Sequence, residues 1–163
     1  MSTKQRPPNS PFEFLELKTI LRIPPWGWIA IISLLFALTT IGHFLEVKAF
    51  GKMSGYTPNV SMLFVPIYEE LLFRGVLLAA FIRLYGFLRA ALLTSILFGL
   101  WHLKNIFWLD QSVLLEQIAY TGLFFGPIMA WVTWKTRSVW PAVVLHYLNN
   151  FESPIKGWLS LLQ

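Results

Sequence analysis

The 163-residue chain has no cysteine, which excludes disulfides, thiolate metal ligands and a thiol nucleophile. Charge is also scarce, at 13% of residues, where soluble domains average about 25%. An 18.8 kDa soluble globule has too little interior to hide residues that are 56% hydrophobic and 17% aromatic, and the mean hydropathy of +0.59 excludes that class. The formal charge of +5 and pI of about 9.7 do not signal nucleic acid, because the basic residues fall between apolar runs rather than along one stripe. No internal repeat, low-complexity tract or long linker is visible. The chemistry left to the chain belongs to Glu, His, Asn, Ser and Thr.

What the chain has in quantity is long apolar runs. A helix needs about 20 mostly apolar residues to cross a hydrocarbon core of about 30 Å. By that count the fold class is all-α, a polytopic transmembrane helical bundle of four or five spans. The spans run from about Trp28 to Leu45, Asn59 to Tyr85, Ala90 to Leu109 and Val113 to Trp134, with a fifth beginning at Val139. The fifth reaches Phe151 before Pro154 and then either continues with a kink or stops partway. Residues 1–27 form a cytosolic and interfacial N-terminal segment, with Trp26 and Trp28 suited to the interface, and 28–163 a single domain. With the N-terminus inside, Lys4, Arg6, Lys18, Arg22, Arg83, Arg89, Lys135 and Arg137 are cytosolic, against Lys48, Lys52, Lys104 and Lys156 outside. Eight to four favours a cytosolic N-terminus.

Ionisable residues inside the spans are His43, Glu69, Glu70, Arg74, His102, Glu116 and His146, joined by the amides Asn149 and Asn150. A charged side chain at a helix centre costs about 2.5–3.5 kcal/mol, so such residues are expected to be buried, paired and functional. At 1.5 Å per residue, Glu69 lies roughly 15 Å and His102 roughly 18 Å into their spans. His146 and Asn150 come to similar depth, and all four can meet in one pocket. Residues four apart share a helix face, so Glu70 pairs with Arg74 and leaves Glu69 without a partner in its own helix. His146 shares a face with Asn150, and Phe98 with His102, while Gly99 leaves room for a neighbouring helix or a substrate. Pro66 is expected to free a backbone carbonyl near the carboxylates. His43 reads as a packing residue, Glu116 as interfacial, and Gly126–Pro127 as a kink.

Three of these clusters carry a resemblance. Glu69 to Arg74 (EELLFR) matches EExxxR, Phe98 to His102 (FGLWH) matches FxxxH, and His146 to Asn150 (HYLNN) matches HxxxN. In that order, across residues 61–151, they resemble the CPBP (Abi) family of intramembrane proteases, named for CAAX proteases and bacteriocin-processing enzymes and including the type II CAAX prenyl endopeptidases. The resemblance implies an intramembrane endopeptidase in which Glu69 and His102 activate a water and His146 and Asn150 stabilise the oxyanion. Glu70, Arg74 and Phe98 support them. It implies a membrane-associated protein or peptide substrate near the cytosolic face, of CAAX or bacteriocin type, and residence in the plasma membrane of a prokaryote, with no nucleic acid partner. Because fewer helices precede EExxxR than is usual for the type II enzymes, a smaller or oligomeric chamber is expected.

Members are often labelled metalloproteases, and His102, His146 and Glu69 offer three ligands for a divalent ion such as Zn2+. HExxH is absent, and Glu69 with His102 suffices to prepare the nucleophile without a metal. Two other classes compete with proteolysis. One is a non-catalytic membrane binding or immunity protein that holds a partner with the same cluster. The other is a proton-coupled carrier, which the lack of an inverted repeat disfavours.

Overall fold

The computed structural model describes residues 6–15, 23–50, 63–107 and 109–160, with side chains described except at 43–50 and 151–160. The expected start of the second span at Asn59, Ser61 at the edge of the motif region and the His43 side chain lie outside the described residues. The described chain folds into five helical rods and, among those residues, no strand. The first is α1 (Pro25–Phe50). The second runs through α2 (Val65–Glu70), a π-helical segment (Leu71–Leu77) and α3 (Leu78–Tyr85). The third is α4 (Phe87–Trp101) tightened into a 3-10 segment (His102–Phe107). The fourth joins α5 (Gln111–Tyr120), a second π segment (Thr121–Phe125) and α6 (Gly126–Thr136). The fifth is α7 (Trp140–Ser160), which settles the open end of the last span, since the helix continues through Pro154.

Three stretches, Pro25–Gly42, Phe87–Phe107 and Gln111–Thr136, are long and apolar enough to cross a membrane. The second rod carries Glu69, Glu70, Arg74 and Arg83, and the first three of these are buried. Leu34, Leu84, Leu100, Leu123 and Leu148 are exposed while those charges are hidden. That is the polarity of an all-α bundle built for lipid.

Reversal between the second and third rods is made at Gly86, whose φ of 76° suits a residue without Cβ, and between the fourth and fifth at Arg137 in the left-handed region. The N-terminal residues pack on this same end. Phe14 joins Leu78, Ile82 and Ala130 in one core cluster, and Leu15 joins Trp28, Leu71 and Val139 in another. The Val139 N–H donates to the Phe14 carbonyl at 3.0 Å, and Arg137 donates to the Arg6 carbonyl and to Glu13.

One expectation about a special residue changes, and one left open between two alternatives closes. Pro66 sits in the first turn of α2, where an N–H has no intrahelical partner to lose, so it starts the helix instead of opening it. The longer span counted from Asn59 had put it in mid-helix. Gly99 admits a helix, not substrate: a Cβ there would lie 2.8 Å from the Ile118 carbonyl and 2.9 Å from Gly122 Cα. Gly126 is equally tight against Ser95 and the Thr121 carbonyl. Ser95, Gly99, Gly122 and Gly126 thus form a small-residue seam between the third and fourth rods. Gly99→Ala is expected to lower stability by about 1–3 kcal/mol, the range for overpacking a tight contact, read as a lower thermal midpoint in detergent.

Candidate active site

The polar core starts with an ion pair inside one helix. Arg74 Nη1 donates to Glu70 Oε1 at 3.0 Å, both side chains being fully buried, so the i,i+4 pairing holds across the start of the π segment. Two further contacts stabilise the guanidinium: the Gly126 carbonyl at 3.4 Å from Nη2 and the Phe98 ring, whose centroid lies 4.1 Å from Cζ. Glu70 Oε1 also takes His146 Nδ1 at 2.8 Å, which ties α7 to the second rod. Since a carboxylate only accepts, Nδ1 carries a proton, and Nε2 is a lone pair in the neutral ring and a second donor in the imidazolium.

Glu69 turns away from this pair, as adjacent helical positions must. Its Oε1 is held by three groups: Lys104 Nζ at 2.9 Å, Trp101 Nε1 at 3.0 Å and Tyr68 OH at 3.2 Å. Its Oε2 is buried and has no protein partner, although Glu69 lines the cavity. His102, also buried, donates from Nδ1 to the Phe98 carbonyl at 2.8 Å, a backbone oxygen that again fixes the proton on Nδ1 and the lone pair on Nε2. Phe98 is fully buried at the hub, edge-on to His102 with ring centroids 4.9 Å apart.

Glu69, His102, His146 and Asn150 all line one cavity of about 440 Å³, together with Glu116, Tyr120 and Thr121. That volume falls in the range of ligand pockets. Asn150 is half-buried there with its Oδ1 3.5 Å from Asn149 Nδ2, and Asn149 Oδ1 in turn accepts from Tyr120 OH at 2.7 Å. The four residues expected to act are thus placed on the wall of one cavity. Glu70, Arg74 and Phe98 form the packed layer beneath, and Glu116, expected at the interface, contributes to the wall.

Sequence reasoning missed Lys104, Trp101 and Tyr68. Lys104 reads as one more basic residue near the outer end of its span, but the 3-10 segment stacks residues three apart, bringing Lys104 Nζ to 4.5 Å from the Trp101 ring centroid with both groups on Glu69. The available signal is the Trp–Lys pair at i,i+3 straddling His102. Replacing the ammonium in Lys104→Met is expected to leave the fold intact and lower turnover about 10- to 100-fold by loosening Glu69, with Lys104→Arg recovering most of it.

Among the described residues no cluster of three His, Cys, Asp or Glu side chains is placed to hold a metal ion. The two Nε2 lone pairs are suitable donors, but Glu69 Oε1 already carries an ammonium, which repels a cation. The proposed three-ligand set therefore does not fit this arrangement.

An apolar helical bundle that buries two glutamates, an arginine and two histidines beside a cavity defines a polytopic membrane protein with an intramembrane polar chamber. Residues 57–151 match the family described as Type II CAAX prenyl endopeptidase Rce1-like, and the chain belongs to that family. It is similar to CAAX prenyl protease 2 of Methanococcus maripaludis, with 27% identity over 161 residues covering 88% of this chain and 58% of the relative. The chain thus spans less than two thirds of that relative's length. No solved structure matches.

Proposed function

We propose that this chain is an intramembrane endopeptidase that hydrolyses a peptide bond of a membrane-associated protein or peptide, of the CAAX or bacteriocin-processing kind. The observation that carries this reading is the asymmetric Glu69 carboxylate: Oε1 is anchored by three donors while Oε2 is buried, without a protein partner, on a residue that lines the cavity. An anchored carboxylate with one oxygen left over is what a general base requires.

In the proposed reaction a water gives a proton to Glu69 Oε2, steered by the lone pair on His102 Nε2, and its oxygen bonds to the scissile carbonyl carbon. The negative charge moves to the carbonyl oxygen. There the Asn150 amide donates in any protonation state, and His146 Nε2 donates as the imidazolium, with Glu70 as counter-charge. Collapse breaks the C–N bond, and the proton on Glu69 passes to the leaving nitrogen. Each of these steps is assigned to the chain's own side chains.

The test needs no knowledge of the substrate. Protein termini in the membranes of cells carrying the wild-type chain are compared by mass spectrometry with those of cells carrying Glu69→Gln at equal expression. New termini that require Glu69 support proteolysis and name the substrate. Identical termini overturn it and favour a protein that holds a partner without cutting it.

A further inference from the structure

We infer that the cavity carries a cation-binding subsite centred on Glu116, which selects a substrate with a lysine or arginine side chain about two residues from the bond to be cut. The fourth rod presents one stripe to the cavity: Val113, Glu116, Gln117, Tyr120 and Thr121 follow the three-and-four spacing of a single helix face. Thr121 stands at the level of the reacting groups, its Oγ1 3.4 Å from His102 Nδ1. Glu116 comes five positions earlier, about 8 Å along the axis at 1.5 Å per residue. A peptide extended through the cavity advances about 3.3 Å per residue, so that distance is crossed in about two.

The charges around the cavity do not cancel. Lys104 Nζ lies 2.9 Å from Glu69 and Arg74 Nη1 lies 3.0 Å from Glu70, so both of those carboxylates are matched. Glu116 lines the same cavity, and among the described residues its carboxylate has neither an ion pair nor a hydrogen bond. It is exposed, but it borders the cavity that holds Glu69 and His102. Tyr120, one turn on in the same stripe, lines the wall with a ring stacked on Phe125, the centroids 6.0 Å apart. An aromatic ring beside a carboxylate suits an ammonium or guanidinium group, since both attract positive charge. Basic residues usually precede the lipidated cysteine of CAAX segments, so this selection agrees with the kind of substrate proposed above.

The role of the cation as part of a substrate rests on the proposed proteolysis, whereas its binding is measured without cutting. The full chain carrying Glu69→Gln is reconstituted in phosphatidylcholine nanodiscs, with empty discs as the baseline. The probes are palmitoylated, dye-labelled hexapeptides of Gly and Ser that carry Lys, norleucine or Glu at their central position. The lysine peptide is expected to bind about 3- to 10-fold more tightly than the norleucine peptide, between the effects of fully exposed and fully desolvated ion pairs. Adding Glu116→Gln should remove that preference, and Glu116→Lys should transfer it to the glutamate peptide. Because Glu116 is exposed and unpaired, neither substitution is expected to disturb the fold. Equal affinity for the lysine and norleucine peptides, or a preference that survives Glu116→Gln, overturns the subsite.

A second arm reads specificity in cells. Termini that require Glu69 are expected to have Lys or Arg within about two or three residues of the cut. For the substrate they name, Glu116→Gln should raise KM about 3- to 10-fold and leave kcat unchanged, the pattern of lost uniform binding. Glu69-dependent termini without nearby basic residues overturn the selection and leave proteolysis standing. Termini unchanged by Glu69→Gln remove the protease reading, and the nanodisc result then decides by itself whether Glu116 binds a cation.

Discussion

Glu69→Gln is expected to accumulate in the membrane at the wild-type level and to cut its substrate about 10²- to 10⁴-fold more slowly, the usual contribution of a general base. The amide keeps an oxygen in the position of Oε1, so the donations from Trp101 and Lys104 and the packing around them survive. What is lost is the oxygen able to take a proton from water. The same assay after exhaustive chelation should retain its rate, because Glu69 is engaged by an ammonium and no three-ligand cluster assembles among the described residues. A variant that cuts normally would remove Glu69 from the chemistry, and a chelator-sensitive wild type would call for an ion in a different arrangement of ligands.

Arg74→Leu should act on stability before activity. The guanidinium is fully buried against Glu70, Phe98 and the Gly126 carbonyl, and its removal strands a carboxylate whose remaining partner is His146. Breaking one side of a buried pair costs about 3–5 kcal/mol, out of the roughly 5–15 kcal/mol that holds a typical domain together. Thermal unfolding in detergent should show a large fall in midpoint and poor recovery of folded protein. Glu70→Gln combined with Arg74→Leu should lose less than the two single losses added together, because no unpaired charge is left behind. A wild-type midpoint for Arg74→Leu would contradict the role assigned to this pair.

Much of the candidate site is legible in one dimension because helices impose simple arithmetic. Glu70 and Arg74 lie four apart and pair, Glu69 diverges from them, and Phe98 sits one turn before His102 and packs on it. Composition likewise suffices for the membrane bundle, since so little charge in so apolar a chain leaves no other compact solution. The arithmetic fails where the helix departs from α geometry. The 3-10 segment puts Lys104 on Glu69 although it lies two positions, more than half a turn, after His102, and a lysine near a span end otherwise reads as a topology signal. It fails too at Gly99, since spacing alone does not tell whether an open face admits substrate or the backbone of Gly122.

The sequence by itself determined the helical membrane class, the order of the rods and the residues capable of chemistry, because burial in lipid and helical periodicity are local rules. Only the tertiary structure decided which partners those residues take: His146 on Glu70 across 76 positions and Lys104 on Glu69 across 35. It also decided that Glu116 lines the chamber. Those outcomes depend on how rods from distant parts of the chain pack, and no spacing within a single helix encodes that.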